Sequence, residues 1–288
     1  MKVTRIANQT LYTRKRGCIP SLESIVEIPT EIAARLASYA CAPIGIGESG
    51  ATVWRCAAQH LPTLYLKVAP LAAELRLDRE DERLRWMHER GLFVPAVREY
   101  GCIGGFEYLV LDEIAGVDAS NAEWSGRSLE VVTAIGVALA RLHRTSIDDC
   151  PFDQRVARQI EEARVHVAAG RVREDEFDER RLGRRASEIL GDLLATVPPD
   201  EDLVLVHGDF CLPNVILSVV PGGGIEVAGL VDCGRAGVAD RYQDLALAIR
   251  SIDGNIGSEW VAPFLRAYDL DIVREDKVEF FMLLDEFF

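Results

Sequence analysis

A polar loop enclosed by apolar segments constrains the fold of this chain more than any other feature. Residues 203–217 read Leu-Val-Leu-Val-His-Gly-Asp-Phe-Cys-Leu-Pro-Asn-Val-Ile-Leu. Short apolar runs bounded by turn residues are typical of buried strands. A further apolar segment, 225–231, leads directly into Asp232. The sequence therefore predicts a β-hairpin over residues 203–232, with its polar residues gathered near one end.

Three side chains that carry oxygen atoms belong to that end: Asp209, Asn214 and Asp232. Magnesium prefers hard oxygen ligands and usually keeps substrate phosphates in its shell. Phosphoryl transfer needs one carboxylate that orients the attacking hydroxyl and accepts its proton, and further oxygen groups that hold the metal. A single Asp or Asn in a loop is usually explained by turn formation. The ordered set between apolar strands instead favours a phosphoryl-transfer site with Asp209 as the catalytic carboxylate.

The first part of the chain contains candidates for a nucleotide-phosphate site. A glycine-rich segment, 45–50, precedes a predicted strand, and the backbone N–H groups of such a loop can bind phosphate oxygens. Lys67 lies in the apolar strand pattern 64–68, and Glu80 lies among apolar residues at helical spacing. Because a carboxylate inside an apolar stripe is costly unless it is paired, an ion pair between Lys67 and Glu80 is predicted. A plain β-turn and a solvent-facing edge lysine are the alternative interpretations.

Hydrophobic patterning divides the chain into two parts, of which the first alternates strands with a helix and the second is mainly helical. Strands are expected at 53–56, 64–68, 97–100 and 108–111, and helices at 74–90, 128–144, 154–195 and 241–288. This pattern predicts an α+β fold with a small β-rich N-lobe over 29–111, a hinge over 112–116 and a larger, mainly helical C-lobe over 117–288. Residues 1–28 are weakly patterned and are interpreted as an N-terminal extension.

The net charge of −14, from 32 basic and 46 acidic residues, restricts the partners. Nucleic acid and anionic membranes would be repelled by such a surface, whereas a cationic small molecule would be attracted. Acidity for solubility alone explains the charge equally well. No apolar run approaches the roughly 20 residues that span a bilayer, and the basic N-terminus lacks an apolar signal region. We expect a cytoplasmic protein, a monomer or weak dimer, without nucleic-acid or membrane partners.

The seven cysteines show no metal-binding arrangement. They form no Cys-x-x-Cys pair and no histidine cluster lies near them, so a zinc site is not supported. An odd number of scattered cysteines favours reduced thiols in a reducing compartment. The residues concerned are Cys18, Cys41, Cys56, Cys102, Cys150, Cys211 and Cys233.

Several motifs together resemble the aminoglycoside 3'-phosphotransferase family. They are His207-Gly208-Asp209-x-x-x-x-Asn214, Val231-Asp232-Cys233-Gly234-Arg235, the run 237–246 and the terminus Leu284-Asp285-Glu286-Phe287-Phe288. The His-Gly-Asp core is shared by many small-molecule kinases, whereas the Asp-Cys-Gly-Arg run combined with the acidic terminus is more specific. The resemblance spans about residues 39 to 288. It implies a bilobal, protein-kinase-like fold and transfer of the γ-phosphate of ATP or GTP to the 3'-hydroxyl of kanamycin- or neomycin-like antibiotics.

The resemblance also implies roles for individual residues. Asp209 would be the catalytic base, Asn214 and Asp232 would hold Mg²⁺, and Lys67 with Glu80 would position the α- and β-phosphates. The other nucleotide contacts implied are Ser49 over the phosphates, Tyr65 facing the adenine, and the backbone from Asp112 to Ile114 bonded to it. The aminoglycoside contacts implied are Asp175, Asp178, Glu179, Arg235, Asp285, Glu286 and the terminal carboxylate of Phe288. Such a set suits a polyamine sugar, because charge-assisted hydrogen bonds are strong.

Other interpretations are open from the residues alone. A kinase acting on choline, homoserine, a macrolide or another sugar alcohol would share the His-Gly-Asp core. A nucleotide-binding pseudokinase would be expected to lack one of four residues that are all present, namely Lys67, Asp209, Asn214 and Asp232. The acidic segment 174–179 is equally explained as a solvated helix face, and the C-terminus as a frayed tail.

Three further residues refine this picture. Gly208 stands where protein kinases carry an arginine next to the catalytic aspartate, which argues against phosphorylation-controlled protein kinase activity. Asp240 precedes a helical run with Gln243 three residues later, a pattern typical of a helix cap. Asp244 lies further into that helix, and we expect it to brace the catalytic loop by hydrogen bonds.

Overall fold

Residues 27–46, 51–71 and 76–288 are described by the computed structural model of this protein. The predicted extension up to residue 26, and Ser49 in the glycine-rich segment, lie outside these ranges. Within them, strands dominate up to Asp112 and helices dominate afterwards, as the hydrophobic patterning predicts.

An antiparallel sheet in the order β1-β2-β3-β5-β4 forms the N-terminal part. Its strands are β1 (Ala40–Ile46), β2 (Thr52–Ala57), β3 (Leu64–Pro70), β4 (Val97–Ile103) and β5 (Phe106–Asp112). Successive side chains of a strand point to opposite faces. On β3, Leu64, Leu66 and Val68 join a small core with helix α1 (Thr30–Arg35). Lys67 therefore points to the opposite face of the sheet.

Helix α2 (Leu77–Glu89) covers that opposite face. Its residues Leu77, Leu84 and Met87 are buried in the main core of the molecule, together with Leu109 of β5. Glu80 lies on the same stripe and is 3% exposed. The apolar stripe that the sequence predicts is thus the buried face of the helix, and it presents Glu80 to β3.

The C-terminal part consists of six helices around two small sheets. The helices are α3 (Ser128–His143), α4 (Val156–Ala168), α5 (Ala186–Ala195), α6 (Tyr242–Asn255), α7 (Val261–Tyr268) and α8 (Glu275–Leu284). One sheet has the order β6-β8-β9, and the other pairs β7 with β10. These strands are β6 (Val117–Asp118), β7 (Leu203–Val206), β8 (Val215–Val219), β9 (Ile225–Leu230) and β10 (Gly237–Asp240). Across the described ranges, every helix is too short or too polar to cross a membrane.

The hairpin predicted over residues 203–232 is only partly correct. β8 pairs with β9, but β7 pairs with β10. All these segments are apolar, and apolar character does not determine which strands become neighbours. Asn214 and Asp232 still meet at one end of the β8–β9 hairpin, where the Val231 N–H donates to the Asn214 carbonyl oxygen at 3.0 Å. Asp209 reaches that end through the loop that follows β7.

The charged segment predicted to be mostly helical over 154–195 is interrupted. Residues 169–185 separate α4 from α5 and contain a 3₁₀ turn at Glu174–Glu176. Gly170 and Gly183 have φ angles of 66° and 85°. Left-handed residues of this kind end helices. The acidic residues of this segment therefore lie in an irregular connection rather than on one helix face.

A disulfide joins Cys41 of β1 to Cys56 of β2. The expectation that all seven cysteines are reduced thiols is therefore wrong for this pair. The two residues lie directly opposite each other in the antiparallel ladder, which is irregular between Pro43 and Gly45. Cysteine spacing alone does not reveal such a strand register, which depends on turn geometry and pairing.

Candidate active site

The loop that carries Asp209 depends on the glycine before it. Gly208 has a φ angle of 89°, and a Cβ atom there would lie 2.2 Å from the carbonyl oxygen of Arg235. Glycine alone satisfies both the left-handed conformation and the close approach. The loop therefore packs directly against the segment that follows Asp232.

Asp244 holds the same loop from the core. Its Oδ2 accepts a hydrogen bond from the His207 N–H at 2.7 Å, and its Oδ1 accepts one from the Gly208 N–H at 2.8 Å. His143 Nε2 lies 3.1 Å from Oδ2, and the Tyr268 hydroxyl lies 2.7 Å from His143 Nδ1. The predicted bracing role of Asp244 is confirmed, and its support by His143 and Tyr268 is additional.

Asp240 has more partners than a helix cap needs. Its Oδ1 accepts a hydrogen bond from the Tyr242 N–H at 2.9 Å at the start of α6, but the N-cap residue of that helix is Arg241, so the predicted capping pattern is wrong. Its Oδ2 accepts bonds from the Lys277 ammonium at 2.6 Å and the Asp202 N–H at 3.0 Å. Asp240 therefore also joins α6 to α8.

Asn214 orients the carboxylate of Asp209. Its Nδ2 donates to the Asp209 carbonyl oxygen at 3.0 Å and to Asp209 Oδ2 at 2.9 Å. Oδ1 is then the atom of Asn214 that can bind a cation. Asp232, across the end of the hairpin, has a φ angle of 63° and a side chain that is 45% exposed. A left-handed aspartate of this kind is rare and is typical of functional sites.

Lys67 connects the N-terminal sheet to this end of the hairpin. Its ammonium donates to both carboxylate oxygens of Glu80, at 2.7 and 2.9 Å, and to Asp232 Oδ1 at 3.0 Å. Burial alone would lower the pKa of Lys67, but the negative charges of Asp232 and Glu80 outweigh it and raise that pKa. The Lys67 charge also lowers the pKa of Asp232. The predicted Lys67–Glu80 ion pair is confirmed, and Lys67 and Asp232 each favour the charged form of the other.

Asp209 is electrostatically different from Asp232. Burial, together with the negative charge of Asp285, raises the pKa of Asp209 above the usual aspartate range, although Arg235 opposes the shift. Two carboxylates in one cleft thus have pKa values displaced in opposite directions. Such a separation is characteristic of sites in which one group transfers a proton and the other stays charged.

The segment between the two parts of the molecule presents backbone groups next to Tyr65. The N–H groups of Asp112 and Glu113 are already bonded to the carbonyl oxygens of Ala96 and Thr63, at 3.0 and 3.2 Å. Tyr65 is partly buried, and burial raises the pKa of its hydroxyl. In the ranges that the structure describes, the Ile114 N–H forms no hydrogen bond to a backbone carbonyl oxygen.

A second group of the predicted residues gathers at the C-terminus. Arg235 donates to Asp285 Oδ1 at 2.9 Å, and Arg250 donates to Asp285 Oδ2 at 2.6 Å. The Arg235 guanidinium also lies over the Phe288 ring, 4.8 Å from its centroid. His166 Nδ1 lies 2.8 Å from the carbonyl oxygen of Phe287. These contacts order the terminus, which is therefore not a frayed tail.

Asp178 and Glu286 meet around a buried arginine. The Asp178 N–H donates to Glu286 Oε2 at 3.2 Å, and Arg181 NH1 lies 3.6 Å from Glu286 Oε1. Arg181 is 5% exposed and also pairs with the Asp178 carboxylate. The Glu286 side chain is only 1% exposed, which gives it a structural part in this turn. Asp175 and Glu179, in contrast, are exposed.

Sequence reasoning missed several residues that organise the site. They are Arg83, His143, Arg181, Arg250 and Tyr268. Arg83 follows Glu80 by three residues and shares its buried helix face, so helical spacing was a usable signal for it. The others lie far from the motifs in sequence, and no local pattern indicates them.

The comparison with known proteins agrees with this geometry. Residues 40–280 match the phosphotransferase enzyme family. An aminoglycoside 3'-phosphotransferase of Streptomyces fradiae is 39% identical over 252 residues, covering 84% of this chain and 92% of that protein. One of Niallia circulans is 35% identical, covering 84% and 90%. This chain belongs to the aminoglycoside 3'-phosphotransferase family.

Solved structures of such phosphotransferases share the fold. A crystal structure of aminoglycoside-3'-phosphotransferase of type VIII is 37% identical, covers 88% of this chain and 96% of that chain, and superimposes with a TM-score of 0.79. The aminoglycoside phosphotransferase APH(3'')-Id of Streptomyces rimosus, in complex with ADP and streptomycin, is 27% identical. It covers 84% and 93% with a TM-score of 0.72. The predicted α+β, protein-kinase-like fold is confirmed, and this family member is a kinase that uses a nucleotide as its phosphate donor.

Proposed function

We propose that this protein transfers the γ-phosphate of ATP or GTP to the 3'-hydroxyl of aminoglycoside antibiotics and thereby confers resistance. The observation that carries the proposal is the arrangement of Asp209, Asn214 and Asp232 around the end of one hairpin, with Lys67 bonded to Asp232. Relatives at 35–39% identity that are named aminoglycoside 3'-phosphotransferases support the same substrate class.

Asp209 would act as the base. Its carboxylate is held by the Asn214 amide, and its loop is fixed by Asp244, so it can orient an incoming hydroxyl without rearrangement. Its raised pKa keeps it a better proton acceptor than an ordinary aspartate. The proton of the attacking hydroxyl would pass to Asp209 as its oxygen bonds the γ-phosphorus and the bond from that phosphorus to the bridging oxygen breaks, releasing ADP or GDP.

Asn214 and Asp232 fit the requirements of a magnesium site. Mg²⁺ is usually held by one or two carboxylates together with substrate phosphates rather than by an all-protein cage. Asn214 Oδ1 and the charged, half-exposed Asp232 carboxylate provide such hard oxygen ligands. In the described part of the chain, no group of three acidic, histidine or cysteine residues forms a cage, so phosphates would complete the coordination. When bound, Mg²⁺ neutralises charge on the phosphates.

The nucleotide would lie between the N-terminal sheet and the hairpin. Lys67, held by Glu80, would contact the α- and β-phosphates, and Ser49 would cover the phosphates. Tyr65 would face the adenine, and the Asp112 carbonyl and the Ile114 N–H would hydrogen-bond it. The division into an N-lobe over 29–111, a hinge over 112–116 and a C-lobe over 117–288 stays a prediction that follows this arrangement.

The aminoglycoside would bind against the acidic C-terminal residues. The proposed contacts are Asp175, Asp178, Glu179, Arg235, Asp285, Glu286 and the Phe288 carboxylate. A polyamine must exchange its water for carboxylates, and the net charge of −14 favours its approach. A cytoplasmic location, a monomeric or weakly dimeric state, and the lack of nucleic-acid partners likewise stay predictions.

A coupled ADP-release assay with a panel of aminoglycosides tests the proposal. We expect turnover, and a gain of one phosphate by mass spectrometry, for antibiotics that carry a 3'-hydroxyl, with ATP and GTP tested as donors. Antibiotics without that hydroxyl should be inert. Turnover of the latter would move the reaction to another hydroxyl, and turnover of choline or homoserine alone would identify a different small-molecule kinase.

A further inference from the structure

Arg83 is a buried arginine one turn beyond Glu80 on α2. The residue as a whole is 3% exposed. Its Nε donates to the Ala236 carbonyl oxygen at 2.7 Å, and its NH1 donates to the Arg79 carbonyl oxygen at 3.0 Å. The guanidinium also lies over the ring of Phe152, 4.7 Å from its centroid.

Burying this arginine costs folding free energy that a purely structural role does not explain. Burial lowers the pKa of its guanidinium, and within the described ranges no carboxylate forms an ion pair with it. Burying a charge without a counter-ion opposes folding, and hydrogen bonds to carbonyl oxygens compensate for it only in part. Simple packing therefore does not explain an arginine at this position.

Ala236, whose carbonyl oxygen accepts the Arg83 hydrogen bond, belongs to segment 232–236, which contacts both sides of the candidate active site. Asp232 starts the segment 232–236 and bonds Lys67. Arg235, next to Ala236, bonds Asp285 through its side chain and packs against Gly208 through its carbonyl oxygen. Both the phosphate side and the C-terminal side of the site therefore depend on where this segment lies.

Helix α2 runs alongside that segment. A Cβ atom on Gly234 would lie 3.8 Å from the Cβ of Glu80, in ordinary contact, and Arg83 reaches Ala236 two residues later. One face of α2 thus touches the segment at Gly234 and binds it at Ala236. The two contacts set the distance between helix α2, whose Glu80 binds Lys67, and the segment that carries Arg235.

We propose that Arg83 is a positioning residue, which holds segment 232–236 against α2 so that Asp232 is aligned with the Lys67–Glu80 pair while Arg235 is aligned with Asp285. The inference rests on the proposed phosphotransferase function. Without Arg83, Lys67 keeps Glu80 and Asp285 keeps Arg250. Each substrate should then still bind, but the phosphate and its acceptor should be misaligned.

Arg83→Met tests this proposal against a structural role. We expect kcat to fall about 10- to 100-fold, the range that small misplacements cause. The KM values for nucleotide and aminoglycoside should change less than about threefold, because ground-state contacts are kept. The melting temperature should change little, because removing a buried charge offsets the cost of leaving the Ala236 carbonyl oxygen without its donor. Arg85→Met, at an exposed arginine of the same helix, is the matched control and should leave all these values unchanged.

Two results would overturn the proposal. One is a wild-type kcat in Arg83→Met, and the other is a fall in kcat that tracks a fall in melting temperature. If the methionine variant does not fold, Arg83→Lys is measured instead, because lysine keeps the charge but lacks the Nε–H donor. A reduced kcat with normal stability supports the proposal, and wild-type kcat rejects it.

Hydrogen exchange separates this proposal from the proposed reaction. Amides of the peptide that spans residues 230–238 should exchange faster in Arg83→Met than in wild type, with or without antibiotic. Wild-type protein that fails to phosphorylate every aminoglycoside would remove the proposed function but leave this measurement intact. Unchanged exchange in that peptide would contradict the positioning role of Arg83 directly.

Discussion

The Gly208 N–H donates to Oδ1 of Asp244 at 2.8 Å, which ties the catalytic loop to the core of the molecule. Asp244 is fully buried, and its other oxygen accepts the neighbouring His207 N–H. A carboxylate that accepts two backbone donors forms strong, charge-assisted bonds. The backbone directly before Asp209 is therefore held by helix α6, in addition to the contacts within the loop.

Asp244→Asn should disturb both folding and catalysis. The amide would bring an N–H group against a backbone donor and lose an accepted bond, and hydrogen bonds to charged groups are worth about 1.5–3 kcal/mol. We expect the free energy of unfolding in urea to fall by about that amount and kcat to fall at least tenfold. Asp253→Asn, at an exposed aspartate of the same helix, is the control. Equal behaviour of the two variants would contradict the bracing role.

Gly208→Ala tests the close approach of the loop to Arg235. The new Cβ would meet the Arg235 carbonyl oxygen at 2.2 Å, in addition to a φ angle of 89°. The left-handed conformation alone costs an alanine about 1–2 kcal/mol, so a larger loss is expected here. Gly170 has a similar φ angle of 66° and open space around it, so Gly170→Ala should show the conformational cost alone. The difference between their unfolding free energies measures the clash, and a difference near zero would refute it.

Lys67→Met should weaken nucleotide binding and the fold together. It leaves the Glu80 carboxylate, whose side chain is 4% exposed, without its partner. Breaking one half of a buried pair costs about 3–5 kcal/mol, whereas replacing both halves is often nearly neutral. We therefore expect Lys67→Met with Glu80→Leu to recover stability in urea unfolding but not nucleotide affinity. Recovery of both properties would show that the pair is structural only.

The pH dependence of kcat should report the environment of Asp209. A base must be deprotonated, so activity is lost as the pH falls through its pKa. Burial and the Asp285 charge raise that pKa, and the acid limb should therefore lie above the value of about 3.9 for an ordinary aspartate. Asp285→Asn removes a negative charge and should move the limb to lower pH. An unmoved limb would show that Asp285 does not act on the base.

The sequence predicted those contacts that a local pattern or a burial argument implies. Glu80 lies in an apolar helix stripe, and the cost of an unpaired carboxylate there identifies Lys67 as its partner. Asp244 could be assigned to the catalytic loop because its helix follows the second polar cluster. The three-residue spacing from Glu80 also places Arg83 on the buried face of the helix. No charge pattern in the sequence, however, indicated a partner for it.

Contacts that depend on strand pairing could not be predicted. β7, β8 and β9 are all apolar, so their composition does not distinguish the β7–β10 pair from a continuous hairpin. The Cys41–Cys56 disulfide could not be predicted for the same reason, since it follows from the β1–β2 register. Arg181 was missed for another reason: the acidic residues around it suggested a solvated face, and only the tertiary structure buries Arg181 beside Glu286.

One variant, Asp209→Asn, tests the proposed catalytic role of Asp209. Asp209→Asn keeps the shape of the side chain and removes the proton acceptor. We expect kcat for an aminoglycoside with a 3'-hydroxyl to fall about 100-fold or more, while nucleotide affinity measured by titration stays near wild type. Asp271→Asn, at an exposed aspartate, should retain full activity. A near-normal kcat in Asp209→Asn would contradict the account.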